Sequence, residues 1–311
     1  MEAATATAPP ATGGGRRRKG LSERRLAAYM LAPSLIIILL VAAYPILYAI
    51  WLSMHDYSVI NPGVSRVDIF GNYKDALTSS EFWAAFRTTF VFTIVAVFLE
   101  TAIGLGMALA MHSAFKGQGI LRTVVLVPWA VLTVVTAIMW RTIFEAPLGL
   151  VPSILEKVGI GENVVWLGER PYALIVMIIA DVWKTAPFMA LLILAGLQVI
   201  PGELYEAAKV DGAKTWQRFT RITLPLLKPA ILVALIFRTL DSLRIFDLPY
   251  VLTKGAQGTS TLSLIAYQEL QQNQIIGLGS ALSVLTFIIV MAVSLLYIRF
   301  VGGNIKALTE D

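Results

Sequence analysis

Arg238, Asp241, Arg244 and Asp247 recur every three residues inside a long apolar run of a 311-residue chain. On one continuous helix this spacing brings opposite charges together along a single ridge. Asp181 and Lys184 stand at the same separation in a second apolar run, and Glu100 is alone in a third. An ionisable group at the centre of a bilayer costs about 2.5–3.5 kcal/mol or more unless it is paired or hydrated. The pattern therefore has three readings. The charges neutralise one another and lock the segments together, or they line a hydrated cavity, or they relay protons. The first two are compatible, and alternating pairs argue against the third. Arg238 is the member closest to a structural role. Glu100 either pairs within the bundle or carries a proton.

The elements that position these groups follow from composition. The chain is 57% hydrophobic and only 14% charged, against about 25% charged in soluble domains. Six segments, near 27–53, 86–111, 121–144, 171–198, 229–251 and 279–301, are apolar and long enough to cross the hydrocarbon layer, which takes roughly 20 helical residues. Unpaired backbone groups are too costly in lipid, so each must be helical. The fold class is all-α, a polytopic membrane protein with six transmembrane helices. A basic tail over 1–26, rich in Ala, Thr, Pro and Gly, is expected to be disordered. The membrane domain covers 27–301, and a short tail covers 302–311.

Placing the N-terminus in the cytoplasm assigns fifteen Lys and Arg to inner segments and seven to outer ones, the bias expected of a correct orientation. Both termini and the 201–228 loop are then cytoplasmic. The first outer loop holds Asn61-Pro62-Gly63, a turn signal. The second holds Pro147, Gly149 and Pro152, then an amphipathic stretch, Ile154-Leu155-x-x-Val158, suited to a surface helix. Gly104, Gly106 and Ala110 offer small surfaces for close helix packing.

The inner loop has its own pattern. Glu206-Ala207-Ala208, three residues, Gly212, nine residues, then Ile222-x-Leu224-Pro225 combines small residues, a Gly break and a Pro stop. A helix from Glu203 to Val210 has Glu203 and Glu206 near its start, where the helix dipole favours acids. Gly212 permits a turn. A second helix from Thr215 to Thr223 puts Trp216, Phe219 and Ile222 on one face, and Pro225 and Pro229 reset the chain before the fifth span. The loop reads as a surface built to dock into another protein.

With these residues the chain resembles the permease subunits of binding-protein-dependent ABC importers, of the maltose and glycerol-phosphate type. The match lies at Glu206, Ala207, Ala208, Asp211, Gly212, Ala213, Ile222, Leu224 and Pro225. Tyr44-Pro45, Gly71-Asn72-Tyr73, Phe82-Trp83, Arg122, Pro128 and Trp140 extend it over most of the chain, with departures at Arg87 and Pro152. The runs Val182 to Phe188 and Phe237 to Asp247 look most like disaccharide permeases of the trehalose type.

The resemblance implies the type I importer architecture and a coupling helix in the loop, with Trp216 and Phe219 beside the signature. The loop would dock on an ATP-hydrolysing subunit whose closure rocks the spans. It implies four kinds of partner: a second permease, an ATPase dimer, an extracellular or lipid-anchored sugar-binding protein, and membrane lipid. It implies no nucleic acid. In a sugar pathway, carboxylates accept hydrogen bonds from sugar hydroxyls and aromatic rings stack on sugar faces. The candidates are Asp181, Trp183, Lys184, Asp241, Arg244, Phe246, Asp247 and Tyr250.

The chain has no G-x-x-x-x-G-K-[ST] and no cysteine, and its two histidines, His55 and His112, lie on opposite sides. We therefore expect a non-enzyme without cofactor or metal, dependent on ATP and Mg used by its partner subunits. The alternative is a self-sufficient secondary transporter or channel that uses the intramembrane charges.

Overall fold

The computed structural model describes residues 23–60, 66–113, 116–145, 148–159 and 164–309. The expected tail before residue 23, the Asn61-Pro62-Gly63 turn and Pro147 lie outside them. The chain divides into two units at Tyr48 and Ala49. In the first, α1 (Glu23–Ile38) passes through a π-helical turn, Leu39–Ala43, into α2 (Tyr44–Ser53). Together they give one apolar helix, Leu26–Ser53.

The second unit begins at Ala49, within α2, and continues into a short antiparallel pair, β1 (His55–Asp56) and β2 (Arg66–Val67), followed by α3 (Gly71–Thr78). Asn72 is buried and its Nδ2 donates to Ser53 O at 3.0 Å and His55 O at 2.9 Å. Tyr73 Oη lies 2.6 Å from Ser53 Oγ. The Gly-Asn-Tyr motif thus fastens the end of α2 to α3. The same corner reaches the last span, where Gly277 N donates to Tyr57 O at 2.9 Å and a Cβ on Gly277 would meet His55 O at 2.2 Å.

Four spans surround the charged residues. α4 (Ser80–His112) starts with Ser79 Oγ accepting from Glu81 N–H, an N-cap that satisfies one of the helix's free donors. It packs along α8 (Arg170–Val199). The close approach is at Gly104, where a Cβ would stand 2.7 Å from Met189 Cβ. Gly106 faces open space instead, so only part of the expected small-residue surface packs within this chain. Gly196 makes the corresponding contact from α8 to Ala230, whose Cβ would lie 2.4 Å from an added Cβ.

Two expected spans are not continuous. The segment expected as one helix over 121–144 is α5 (Gln118–Ala130) and α6 (Thr133–Phe144), bent by 88°. Pro128 withdraws a backbone donor near the end of α5, and Val131 turns to an extended conformation (φ −74°, ψ 137°). After the short helix α7 (Leu150–Lys157), the expected surface stretch of the second outer loop, α8 follows its expected limits closely.

The fifth span departs further. α9 (Gly202–Val210) precedes α10 (Thr215–Arg218), which continues through a π-helical turn, Phe219–Thr223, into α11 (Leu224–Ser242) as one helix from Thr215 to Ser242. Pro225 and Pro229 therefore do not reset the chain. Leu224 N–H reaches back to Phe219 O, and this widened turn accommodates the proline ring that a regular turn would reject. At the other end the helix stops at Ser242, short of the expected 251, and α12 (Asp247–Leu252) starts afresh. The ridge Arg238-Asp241-Arg244-Asp247 is thus broken after Asp241. α13 (Leu262–Tyr267), a π-helical turn over Gln268–Gln272 and α14 (Ile276–Thr309) complete the chain.

Candidate functional site

Arg238, on α11, is the hub of the intramembrane charges and is 3% exposed. Its Nε donates to Glu100 Oε2 at 2.7 Å, and its Nη2 donates to Glu100 Oε1 at 2.7 Å and Asp181 Oδ2 at 3.0 Å. Nη1 donates to Asp241 Oδ2. One guanidinium thereby ties α4, α8 and α11 together, using the planar fork that suits arginine to bidentate carboxylate pairing. Thr185 Oγ1 adds a bond to Glu100 Oε1 at 2.7 Å. Glu100 is paired within the bundle, the first of the two states its sequence position allowed.

The other expected pairings do not form. Lys184 is absent from the ion pairs among the described residues, although Asp181 is one turn away. Its Nζ donates to Val131 O at 2.6 Å and Trp129 O at 3.3 Å. Arg244 lies beyond the end of α11, so it cannot meet Asp247 along a helix; its Nε donates to Leu240 O at 3.2 Å.

Two adjoining cavities open beside Arg238. The smaller, about 160 Å³, is lined by Asp181, Lys184, Asp241, Arg244, Phe246 and Asp247 together with Thr133, Thr185, Ser242 and Ile245. The larger, about 530 Å³, shares Thr133, Lys184, Thr185, Arg238, Asp241 and Arg244 and adds Trp129, Phe188, Phe237 and Leu240. Asp241 is the hub carboxylate that faces this space, its side chain 70% exposed against 8% for Asp181. The rings of Trp129 and Phe188 stack at 5.8 Å with 15° between their planes and form an apolar wall. The lining combines a few convergent polar groups with aromatic surface, as small-molecule sites do.

Six of the eight candidate pathway residues therefore reach the cavities. Trp183 and Tyr250 do not. Trp183 packs edge-on against Trp140 at 6.0 Å, and Tyr250 stacks on Phe246 at 5.3 Å in a cluster with Tyr267. Trp129, Phe188 and Phe237 form part of the wall although they were not among the candidates expected from the sequence. Phe188 sits one turn from Lys184 and could have been found from that spacing. Trp129 could not, because only the break after α5 turns it inward.

The polar loop forms a compact hook of α9, a turn and α10. Gly212 has φ +74°, the left-handed conformation that residues with a Cβ resist, and no neighbour lies within 4 Å of its missing Cβ. Its role is the turn itself. Ala213 N donates to Ala208 O at 2.8 Å and Asp211 N to Ala207 O at 3.0 Å, which closes the end of α9. Tyr205 Oη lies 2.9 Å from Thr223 Oγ1 and holds the hook to the span that follows. Glu206, Ala207, Asp211, Gly212 and Trp216 are exposed, while Ala208, Ala213 and Phe219 are half-buried. Val210 and Trp216 are 89% and 71% exposed, and a hollow of about 420 Å³ lies between the two short helices.

The fold and the site define a class: a multi-pass helical membrane protein with a charged, hydrated-sized cavity among its spans and an exposed helical hook between two of them. The chain belongs to the family of binding-protein-dependent transport system inner membrane components, whose model matches residues 102–304. It is 45% identical over 82% of its length to the trehalose/maltose transport system permease protein MalF of Thermococcus litoralis, covering 86% of that protein. It is 41% identical over 85% of its length to the trehalose transport system permease protein SugA of Mycobacterium tuberculosis, covering 84% of it. Among solved structures, a chain of a bacterial alginate ABC transporter in complex with an alginate pentasaccharide-bound periplasmic protein superposes with a TM-score of 0.76. That match covers 92% of this chain and 96% of the other at 23% identity, and so speaks to the fold. The chain is thus an ABC importer permease, with the fold expected from its sequence.

Proposed function

We propose that this permease forms half of the pathway of an ATP-driven importer for a disaccharide such as trehalose or a maltose-like glucoside. The observation that carries the reading is the paired cavity beside Arg238. Its combined space is that of a small-molecule site, with Asp241 and Arg244 available to sugar hydroxyls and the Trp129–Phe188 wall available to an apolar sugar face. The names of the relatives at 41% and 45% identity supply the sugar class.

In this reading the α9–α10 hook is the coupling element. Val210 and Trp216 offer the apolar contact, Glu206 the polar one, and Gly212 sets the angle at which they are presented. The chain itself catalyses nothing and holds no nucleotide; ATP and Mg belong to the ATPase dimer. A second permease completes the pathway, and an extracellular or lipid-anchored binding protein delivers the sugar. Both termini and the hook face the cytoplasm, in keeping with the Lys and Arg bias. The test is uptake of labelled disaccharides into proteoliposomes holding the complete transporter. Trehalose or maltose uptake that requires ATP supports the reading, and uptake of neither overturns the substrate.

A further inference from the structure

The break in the third span ends α5 inside the membrane domain; Val131 N–H bonds back to Pro128 O at 3.3 Å, and the carbonyls of Trp129 and Val131 turn to another helix. In lipid such groups must find a partner within the protein. In carriers driven by ion gradients, the carbonyl ends of broken helices hold the coupling cation. Here the position is taken by Lys184 of α8, whose Nζ donates to Val131 O at 2.6 Å and Trp129 O at 3.3 Å. Trp129 lies in the last turn of α5 and Val131 in the break that follows it, and Trp129 is held to α8 a second time by its stack on Phe188.

Lys184 does not behave as the partner of Asp181. Asp181 is bonded to Arg238 instead, and among the described residues no carboxylate lies within salt-bridge distance of the lysine. An ammonium has three donors, and its negative partner here is the carbonyl end of a helix, where positive charge is favoured. Asp181 and Asp241 attract the ammonium through space, but it is the carbonyls that bond it.

We propose that Lys184 is a tethered cation built into the broken third span: it fills the position that a free ion occupies in ion-coupled carriers, and it holds the 88° bend that shapes the cavity wall. It is a positioning residue. The inference does not depend on which sugar is carried.

The chain has no cysteine, so spin labels can be placed at Ile120→Cys and Thr142→Cys, both exposed and on opposite arms of the bend, in the complete transporter. At 1.5 Å per residue a straight helix would separate them by about 33 Å, and a right-angle bend by about 23 Å. The unaltered Lys184 background should show the short distance. K184A and K184Q should broaden it toward the long one and reduce uptake about tenfold or more, the scale of one lost charged hydrogen bond. K184R, which keeps the charge, should retain the short distance and recover uptake relative to K184A. Replacing sodium by choline should leave the uptake of the Lys184 protein unaltered.

An unchanged distance in K184A overturns the positioning role. Recovery by K184Q equal to that by K184R overturns the need for a cation. Sodium-dependent uptake in the Lys184 protein overturns the claim that the position is already filled. If K184A and K184Q do not assemble while K184R assembles with the short distance, the charge is required, as proposed. If K184R also fails to assemble, a tethered cation alone does not suffice and the proposal falls. Because the distance is read without substrate, these failures are separate from failure of the sugar assignment.

Discussion

Among the described residues, Arg238 is the only cation bonded to Glu100 and Asp181, whose side chains are 0% and 8% exposed, and Arg238→Leu removes it. Two carboxylates then lose their counter-charge away from water. Breaking a buried pair by deleting one partner costs about 3–5 kcal/mol. Asp241 adds little to this, since its side chain is 70% exposed and can be hydrated. Glu100→Gln is the milder change, because Arg238 keeps Asp181 and Asp241; it should cost about 1.5–3 kcal/mol, the worth of hydrogen bonds to a charged group. The double variant should cost less than the sum, because residues in one network do not add. Thermal denaturation of the purified transporter in detergent reads these effects. At about 2–4 °C per kcal/mol, Arg238→Leu should lower the midpoint by on the order of 10 °C. A drop of less than about 2 °C, or strict additivity in the double variant, would refute the reasoning that this hub locks three spans together.

Asp241→Asn should reduce uptake about tenfold, the equivalent of one good hydrogen bond. It should leave assembly intact, because Arg238 retains Glu100 and Asp181; Asp181→Ala, from the buried side of the hub, should instead impair assembly. Gly212→Val forces a β-branched residue to φ +74°, a strain of about 1–2 kcal/mol. The protein should still reach the membrane while ATP-driven uptake falls about tenfold, as paired blotting and transport assays would show. Trp216→Ala should weaken capture of the ATPase subunits by about thirtyfold, the value of a typical aromatic anchor. The permease's own denaturation midpoint should not move, since the ring is 71% exposed and supports no core.

The order of the unbroken spans followed from apolar run length alone, and so did the limits of α8, expected at 171–198; α4 starts earlier, at Ser80, and α14 runs on to Thr309, past the expected 86 and 301. The α9–Gly212 turn was equally readable, because a glycine between two short polar helices has few other uses. The breaks were not. Pro128, Pro187, Pro225 and Pro229 look alike in sequence, yet only the first precedes a sharp bend, since a π turn absorbs Pro225 and α8 runs on through Pro187. The charges suffered from the same limit. Spacing of three suggested pairs within each helix, and Arg238–Asp241 is one. The fully buried bonds run between helices, from Arg238 to Glu100 138 residues earlier, and no local pattern encodes them. Lys184 was misread for the complementary reason: its partners are backbone carbonyls exposed by a break that the sequence did not announce.

We propose that this permease moves a disaccharide through the cavity beside Arg238, driven by ATP hydrolysed on another subunit. The most direct test is a single reconstituted preparation containing both permeases, the ATPase dimer and the loaded binding protein, in which ATP hydrolysis and trehalose or maltose uptake are measured together. Sugar-loaded binding protein should stimulate hydrolysis, uptake should stop without ATP, and Gly212→Val should uncouple the two. Uptake that continues without ATP, or that follows an imposed ion gradient instead, would contradict this proposal.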